Sequence, residues 1–378
     1  MSTAELPQYA LVKQKLIKEI RCGQWEVGGA FPSEAELVAR YKVSRSTLVR
    51  SLQELVREGY LYRRQGQGTF VADFRHRQAS FNPMPLFVHG NTPLAGVRAS
   101  HVLLKMLAGM EAALGPGLPG VTMRQIPQGP LDEETYQLIN SLKPRIALIV
   151  EPSFSPQLLG ALRAIQCEIW SLNEPMDDLN SVYIDQERGG YIATKHLLDR
   201  GCRSIALLNG PVDYYWGFAA KFRGYRRALD EAGVAFDPRL ARQARHAIDS
   251  EAGRAMLRSI LDDGLEIDAL VGVSDAKAMG AMALAQELGR RVHDDLQVIA
   301  IDNTIAEQAD PPIDSVSMPF EEVGRQAATR AKESLEQLAA PSTIASVQQI
   351  RLQPRLVLRD KRNGHAIKPS VAKVSSAS

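Results

Sequence analysis

The first part of the chain alternates helical apolar stripes with short polar breaks. Apolar residues recur at helical spacing between Tyr9 and Ile20, which predicts an amphipathic helix that ends at the segment GQWEVGG. Ser33 followed by Glu36 has the spacing of a capping box, in which side chain and backbone cap each other. The pattern therefore predicts a second, short helix that ends near Tyr41.

A third helix and a pair of strands complete this segment. Ser44 caps the predicted helix, and its apolar stripe runs from Leu48 to Val56. Two short strands follow, Tyr60–Arg63 and Thr69–Ala72, joined by the loop 64–68. The order of helix, helix, tight turn, helix and β-hairpin is that of a winged helix-turn-helix. The sequence thus predicts a domain at residues 1–72 that binds double-stranded DNA.

The candidate contacts with DNA lie on the first turn of the third helix and in the hairpin loop. Arg45 matches the two acceptors on the major-groove edge of guanine. The hydroxyls of Ser46 and Thr47, near a helix N-terminus, suit a phosphate. Glycines in the loop allow the backbone to approach DNA closely.

The segment FPSEAELVARYKVSRSTLVRSLQELVREGYLYRRQGQGTFVA resembles the DNA-binding head of the gluconate-repressor (GntR) family over about 65 residues. Two positions depart from the family pattern: Ala35 and Val49 stand where arginine is usual, and Arg50 follows the second of them. We interpret these changes as a shifted operator preference. The resemblance and the contact chemistry together nominate these residues for DNA binding: Ser33, Arg45, Ser46, Thr47, Arg50, Arg63, Arg64, Gln65, Gly66, Gln67, Gly68 and Thr69.

Beyond a polar, proline-ended linker at 73–85, short apolar runs alternate with amphipathic segments as far as residue 360. This repetition predicts an α/β fold with a parallel, doubly wound sheet. Because about 275 residues exceed the needs of one such sheet, we expect two lobes with a cleft. The predicted strands are Leu86–Val88, Val121–Ile126, Ile146–Val150, Glu168–Leu172, Ile205–Asn209, Ala269–Val273 and Val298–Ile301. The predicted helices are 101–113, 131–142, 186–200, 217–232, 251–262, 276–288 and 320–338.

The sequence of this second part contains no catalytic signature: no G-x-S-x-G, no P-loop, no H-E-x-x-H and no G-x-G-x-x-G after a strand. Hydrogen-bonding side chains instead follow the predicted strands, where open parallel sheets bind ligands. They are Glu151, Ser153, Asn173, Asn209, Ser274, Asp275, Asp302 and Asn303. Tyr214, Tyr215 and Trp216 offer flat faces for a sugar. The pattern favours recognition over catalysis, and it predicts neither a cofactor nor a metal.

The segments VYIDQERGGYIATKHLLDRGCRSIALLNGP, LVGVSDAKAMGAMALAQELG and LQVIAIDNT resemble the effector domain of lactose/galactose-type repressors, which is similar to periplasmic sugar-binding proteins. The resemblance is strong from about 168 to 360. Lys221 and Ser274 stand where arginine and asparagine are common in that family. The strand-end positions and the resemblance together nominate these ligand contacts: Arg98, Ser100, His101, Asn173, Trp216, Lys221, Ser274, Asp275, Asp302 and Phe320.

Charge is divided unevenly along the chain. Residues 1–72 carry 11 Lys/Arg against 7 Asp/Glu, and 361–378, predicted to be a disordered basic tail, carry four basic residues and no acid. With a whole-chain net charge of +2, the middle is net acidic, as suits a protein that contacts phosphate with one end. Three scattered cysteines, no secretory signal and no apolar run of 18 residues lead us to expect a cytoplasmic protein without a membrane segment.

These features predict a ligand-responsive transcriptional regulator, a repressor released by a sugar or sugar derivative. It would act as a homodimer on operator DNA, because a helix-turn-helix usually reads a palindromic site in pairs. Three alternatives stay open at this point. A purine- or nucleoside-sensing regulator has the same architecture, a sugar-processing enzyme would need a base or metal site, and an architectural DNA-binding protein would not need a cleft domain.

Overall fold

The computed structural model describes residues 8–21, 24–57, 60–64, 68–72, 84–89, 101–115, 120–126, 130–244, 250–337 and 346–359. The chain divides into two compact units. The first, which we call the head, holds the described residues up to 72, and the second, the effector unit, holds those from 84 to 337 and from 346 onward. The basic tail and most of the predicted linker lie outside the described residues.

The head consists of three helices and a hairpin, in the predicted order. Helices α1 (Gln8–Arg21), α2 (Glu34–Tyr41) and α3 (Arg45–Arg57) precede strands β1 (Leu61–Arg64) and β2 (Gly68–Val71), which pair antiparallel. The apolar stripes of the helices meet in one small core. Burial drives this packing, because each fully buried leucine or isoleucine contributes roughly 1.5–3 kcal/mol to folding. The buried helical side chains of this core are Val12, Leu16, Ile20, Leu37, Leu48, Leu52 and Leu55.

The predicted helix starts are confirmed. The Ser33 hydroxyl accepts from the Glu36 amide at 3.3 Å, and the Glu36 carboxylate accepts from the Ser33 amide at 2.7 Å, which closes the capping box of α2. The Ser44 hydroxyl accepts from the Thr47 amide at 3.2 Å at the start of α3. These local bonds fix the turn between α2 and α3, because they satisfy amides that a helix start leaves without a partner.

The effector unit contains two six-stranded sheets, one in each of two lobes. Their strands are β3 (Met84–His89), β4 (Val121–Ile126), β5 (Ile146–Val150), β6 (Glu168–Leu172), β7 (Asn180–Ile184), β8 (Ile205–Asn209), β9 (Ala241–Gln243), β10 (Ala269–Gly272), β11 (Gln297–Asp302), β12 (Asp314–Ser317), β13 (Gln349–Leu352) and β14 (Arg355–Val357). The first sheet has the order β13-β7-β6-β5-β3-β4 and the second β14-β12-β11-β10-β8-β9. All their pairs are parallel except β12 with β14, which confirms the predicted fold class.

Helices cover both sheets. They are α4 (His101–Leu114), α5 (Glu133–Leu142), α6 (Pro156–Ala164), α7 (Gln186–Asp199), α8 (Trp216–Glu231), α9 (Ser250–Asp262), α10 (Asp275–Glu287) and α11 (Phe320–Gln337). In the first lobe, Phe87 packs in a core with residues of α5 and α6, while the next residue, Val88, packs against α4. Alternate side chains of a strand point to opposite faces, so a strand covered on both sides reads as a continuous apolar run.

The chain passes between the lobes three times. After β7 it enters α7, which packs on the second sheet, and after β12 it enters α11, which packs on the first. The third passage joins β13 of the first sheet to β14 of the second. At the first passage Asp185 caps α7 and forms an ion pair with Arg351 of β13 at 2.5 Å. The cleft between the lobes is thus bordered by three short connections.

Glycines bring three pairs of helices into backbone contact. A Cβ atom added at Gly190 of α7 would lie 2.1 Å from the Lys221 carbonyl oxygen of α8, and one at Gly224 of α8 would lie 2.0 Å from the Glu187 carbonyl oxygen. Reciprocal glycines also join α4 to α11 and α9 to α10. These positions exclude every side chain larger than hydrogen, so the backbone that carries Lys221 is tightly fixed.

The structure also contains elements that the apolar pattern did not predict. Strands β7, β9, β12, β13 and β14 and helix α6 are absent from the sequence prediction, and β3 begins within the predicted linker. Strands β7 and β12 bury polar residues, among them Ser181 and Ser315, which interrupt an apolar run. Each of these two hydroxyls is satisfied by a hydrogen bond, to the Leu179 carbonyl and the Asp275 carboxylate respectively.

Candidate DNA-binding head and effector cleft

The first turn of α3 presents the residues predicted to meet DNA. The Ser44 hydroxyl lies 3.0 Å from that of Ser46 and 2.8 Å from that of Thr47. The Arg45 side chain is 82% exposed, and its Nε lies 3.3 Å from a carboxylate oxygen of Glu34. An exposed guanidinium beside a hydroxyl-rich helix start has the groups that a base edge and an adjacent phosphate require.

The wing hairpin aligns four further candidates in two directly paired positions, Arg63 opposite Thr69 and Arg64 opposite Gly68. Gly68 has a φ of 111°, a conformation that favours glycine, and no atom lies within 4 Å of the Cβ position. Arg63 is half exposed, and its Nη2 lies 3.9 Å from the Glu34 carboxylate. The remaining wing candidates, Gln65, Gly66 and Gln67, lie outside the described residues.

Contacts within the head also engage Arg50 and Ser33. The Arg50 guanidinium lies 3.8 Å from the centre of the Tyr9 ring on α1, a cation–π contact. Five positions along a helix separate it from Arg45 by about 140° around the axis. Ser33 is engaged in the cap of α2. Both side chains therefore support the head, whereas Arg45 is directed outward.

At the effector cleft, the carboxyl ends of three strands hold non-glycine residues in the left-handed region. They are Glu151 after β5, with φ 53°, Asn173 after β6, with φ 63°, and Asp302 at the end of β11, with φ 108°. Such backbone costs energy and tends to occur at binding and active sites. The first two belong to one lobe and the third to the other.

Asn173 joins the two lobes. Its side-chain amide donates to the Glu151 carboxylate at 3.1 Å and to the Tyr215 hydroxyl, from the second lobe, at 3.0 Å. Its backbone carbonyl accepts from the Trp216 indole at 3.2 Å, and its side-chain oxygen accepts from Gln186 at 3.3 Å. The predicted ligand contacts Asn173 and Trp216 thus meet each other, and they hold the lobes together across the cleft.

Aromatic rings from both lobes surround this junction. The Phe154 ring of the first lobe lies 5.1 Å from Tyr214 and 6.2 Å from Tyr215, both of the second lobe. On the other side, Trp216 lies 6.3 Å from Tyr183. Tyr214 is 42% exposed, so one face of this cluster is open to a flat or ring-shaped ligand.

Lys221 and Asp302 form the charged part of the second lobe's contribution. The Lys221 ammonium donates to the Val273 carbonyl at 3.4 Å and lies 3.8 Å from the Asp302 carboxylate. Burial raises the pKa of Asp302 from 3.8 to about 7, although Lys221 acts to lower it. At neutral pH this carboxyl is therefore able to exchange a proton, and it can donate or accept a hydrogen bond.

Asp275 differs from the expectation that it contacts ligand. Its carboxylate accepts from the Thr304 amide at 2.5 Å, from the Ile305 amide at 2.9 Å and from the Ser315 hydroxyl at 2.9 Å. It is 1% exposed, so these bonds leave it little capacity for a ligand. Asp275 instead holds the loop that begins directly after Asp302, the last residue of β11. Beside it, the Ser274 hydroxyl caps α10 by accepting from the Lys277 amide.

The other nominated ligand contacts lie at helix starts or outside the described residues. His101 is the first residue of α4 and is exposed, whereas Phe320 is the first residue of α11 and is 3% exposed. Arg98 and Ser100 lie outside the described residues.

Three side chains of the cleft were not among the nominated contacts. Glu151 and Tyr215 had been noted at a strand end and in an aromatic turn, and burial raises the pKa of both. Gln186 follows β7, a strand that the apolar pattern did not predict, so no sequence signal placed it beside Asn173. For Glu151, its position at the end of a strand was the sequence signal that could have placed it among the nominated ligand contacts.

The described ranges contain neither a candidate metal-ligand cluster nor a candidate membrane-spanning helix. Within them, no three His, Cys, Asp or Glu side chains are grouped so that they could hold a metal ion. None of the helices in the same ranges is both long and apolar enough to cross a membrane.

Two family models match the chain. Residues 8–71 match that of bacterial regulatory proteins of the gntR family, and residues 194–360 match that of periplasmic binding protein-like domains. The first covers α1 to β2, and the second runs from α7 to the end of the described chain.

The chain is similar to curated regulators. It is 37% identical to the HTH-type transcriptional regulator CelR of Thermobifida fusca over 158 residues, which are 42% of this chain and 46% of that protein. It is 28% identical to the arabinose metabolism transcriptional repressor of Halalkalibacterium halodurans over 364 residues, 93% of this chain and 96% of that protein. The first match therefore spans about half of its relative, and the second nearly all of it.

Among solved structures, the transcriptional regulator CelR–cellobiose complex superposes with a TM-score of 0.63 at 22% identity, covering 95% of this chain and all of that one. This likeness supports the fold over both units. The curated relatives are transcriptional regulators, which answers the question of enzyme or regulator. The chain is a DNA-binding transcriptional regulator that combines a gntR-family winged helix-turn-helix with a periplasmic-binding-protein-like effector domain.

Proposed function

We propose that this regulator is a homodimeric repressor whose hold on operator DNA is controlled by a saccharide bound in the cleft of the effector unit. The observation that carries the proposal is the junction at Asn173, where polar groups and aromatic rings of both lobes converge. A ligand that enters there contacts both lobes at once. The arabinose repressor and the CelR–cellobiose complex are relatives whose names refer to saccharides, which supports this class of effector.

In this proposal the head reads DNA through α3 and the wing. Arg45 pairs with a guanine, and Ser46 and Thr47 hold an adjacent phosphate. Arg63 and Arg64 follow the backbone or the minor groove. Ser33 and Arg50 act mainly by supporting the head, because the cap of α2 and the contact with Tyr9 already engage them. Since it acts on DNA, the protein works in the cytoplasm.

The effector is held by hydrogen-bonding groups of both lobes. Glu151 and Asn173 of the first lobe face Tyr215, Lys221 and Asp302 of the second, and the aromatic cluster provides the stacking surface. A saccharide that replaces the direct bond between Asn173 and Tyr215 shifts the balance between open and closed lobes. Only such a difference in affinity for two states changes operator binding.

The exposed face of α4 is the proposed contact with a second copy. Leu104 is 48% exposed, and Ala108 and Ala112 lie on the same face at helical spacing. Met123, on the edge strand β4 of the same lobe, is 43% exposed. Apolar groups on a helix and an adjacent sheet edge suit a self-complementary interface, which places two heads on the two halves of a palindromic operator.

The proposal is tested by operator binding with and without saccharides. DNA upstream of the protein's own gene and of the neighbouring genes supplies the candidate operator, and fluorescence anisotropy measures its affinity for the full chain. We expect a specific complex that arabinose, cellobiose or another saccharide weakens at least tenfold, together with a rise in melting temperature with the same ligand. An affinity that no saccharide changes, or that purines or nucleosides alone change, contradicts the saccharide effector.

The dimer is tested separately by light scattering during size-exclusion chromatography. Leu104→Glu is expected to produce a monomer because it places a charge in the apolar contact. Tyr136→Glu, an exposed residue of α5, is the matched control and should stay dimeric. A Leu104→Glu protein that is as dimeric as the control contradicts the proposed interface.

A further inference from the structure

Among the described residues of the cleft, carboxylates outnumber cations. The Tyr215 hydroxyl lies within the electrostatic reach of three of them, Glu151, Glu174 and Asp302, and each raises its pKa in addition to the effect of burial. Lys221, the cation that contacts Asp302, also donates to the Val273 carbonyl. An anionic ligand at Tyr215 would add a further negative charge to this group.

Other charged groups near the cleft are engaged in contacts of their own. Asp275 accepts several hydrogen bonds from the loop after β11, and the Glu174 carboxylate accepts from the Ser153 amide at 2.9 Å. The Lys277 ammonium is buried and lies 5.6 Å from the centre of the Phe218 ring. Burial raises the pKa of Glu151 and Glu174, so the cleft environment disfavours negative charge.

The cleft also holds a buried acceptor without a partner. Gln186 is 2% exposed, and its Nε2 donates to Asn173, which fixes the amide at the lobe junction. Its Oε1 has no hydrogen-bond partner within the part of the chain that the structure describes. The same is true of Asn209 Oδ1 at the end of β8, in a side chain that is 1% exposed. Buried acceptors of this kind call for a donor from beyond the described residues, and a bound ligand can supply it.

We propose that the cleft selects uncharged saccharides and rejects phosphorylated and acidic ones, and that Glu151 and Gln186 make this selection. The inference rests on the proposed function, because it concerns the effector of the same cleft. A sugar hydroxyl supplies the donor that Gln186 Oε1 lacks and a second donor to the Glu151 carboxylate. A phosphate or carboxylate group is an acceptor at neutral pH, so it satisfies neither oxygen and is repelled by the surrounding acids.

The aromatic cluster agrees with this assignment. Phe154 and the exposed Tyr214 present ring faces 5.1 Å apart between centres, tilted by 40°. The apolar face of a pyranose packs on such rings, while its hydroxyls point to the side, where the acceptors lie. The site thus combines an apolar surface with acceptor-rich walls, a combination that suits a neutral polyhydroxyl ligand.

The selection is tested by isothermal titration calorimetry on the full-length protein with matched ligands. The uncharged probes are glucose, arabinose, cellobiose and maltose, and the charged ones are glucose 6-phosphate, arabinose 5-phosphate, gluconate and cellobionate. We expect an uncharged saccharide to bind and its charged counterpart to bind at least tenfold more weakly. A charged counterpart that binds as tightly overturns the inference but leaves the proposed function standing. Binding by none of these saccharides overturns both.

Variants of the two selecting residues complete the test. Gln186→Leu is expected to lose at least tenfold in affinity for the uncharged saccharide. Glu151→Gln is expected to narrow the gap between uncharged and charged ligands, since it removes the repelling charge. Gln137→Leu and Glu231→Gln, the same changes at exposed positions, are the controls. The assignment of these residues is wrong if Gln186→Leu binds the uncharged saccharide like its control, or if Glu151→Gln discriminates between uncharged and charged saccharides as strongly as the unaltered protein. Operator affinity without ligand verifies that each variant is folded.

Discussion

The head and the cleft each contain an acid–base pair, but in opposite surroundings. In the head, Arg45 and Glu34 lie 3.3 Å apart, with 82% and 34% of their side chains exposed. In the cleft, Lys221 and Asp302 lie 3.8 Å apart, with 6% and 13% exposed. At similar distances, water screens the first pair and is nearly excluded from the second.

This difference matches what each region has to do. An exposed arginine loses little when it leaves its carboxylate for a guanine, so the head can exchange an internal contact for DNA at small cost. A buried carboxyl pays for desolvation whether or not it has a partner, as the raised pKa of Asp302 records. A ligand in the cleft therefore acts on buried charged side chains, such as Asp302, whose positions the fold has already fixed.

The largest effect is expected from the head. Arg45→Ala removes a contact worth about 1–3 kcal/mol per base pair read. Because a dimer uses two heads, operator affinity should fall by roughly 30-fold or more, while saccharide binding and stability stay unchanged. Lys15→Ala, which removes one exposed positive charge from α1, is the control for charge alone. Footprinting measures the effect. An Arg45→Ala protein that still protects one specific site with full affinity would show that Arg45 does not exchange its contact with Glu34 for a base.

The next effect concerns the rigidity of the cleft. Gly190→Ala introduces a Cβ atom 2.1 Å from the Lys221 carbonyl oxygen, and we expect it to lower the free energy of unfolding by about 1–3 kcal/mol. Gly160→Ala in α6 meets no atom within 4 Å and should raise it by about 0.5–1 kcal/mol. Urea denaturation of the full chain measures both. Equal effects of the two substitutions would mean that α7 and α8 adjust freely and that Lys221 is not held by packing.

A smaller effect follows from the titration of Asp302. Its pKa is raised in the folded protein from 3.8 to about 7, so the folded state keeps a proton that the unfolded chain releases. Its contribution to stability is complete below about pH 4 and is lost as the pH rises through about 7. The melting temperature of Asp302→Asn relative to the unaltered protein should therefore increase between these values and level off above them. A difference that does not vary with pH shows that the carboxyl titrates normally.

The smallest effect is expected from the exposed pair itself. Glu34→Gln should change the free energy of unfolding by no more than about 1 kcal/mol, since both partners are solvated. Operator affinity should rise a few-fold at low salt, because a carboxylate that competes with DNA for Arg45 and Arg63 is removed. Glu26→Gln, an exposed acid of the same head, controls for net charge. Affinity that falls more than threefold would instead make Glu34 part of the interface.

Local patterns were sufficient to predict the head. The capping box at Ser33, the cap at Ser44 and the apolar stripes act over three to eight residues, and each was found where the sequence indicated. The buried strands β5, β6 and β8 were also predicted with their observed ends, because runs of apolar residues covered on both faces leave a plain signal. The strands that bury serines gave no such signal.

The sequence by itself determined the two kinds of unit, the groups on the first turn of α3 and the polar residues at the strand ends. The tertiary structure decided how those strand ends meet. It placed Gln186 beside Asn173, directed Tyr215 to Glu151 across the lobes, and engaged Asp275 with the loop of Thr304 rather than leaving it for a ligand. The physical reason is that these hydrogen bonds join residues that lie 13 to 64 positions apart in the sequence. Such residues come together only when the strands pair and the helices pack closely.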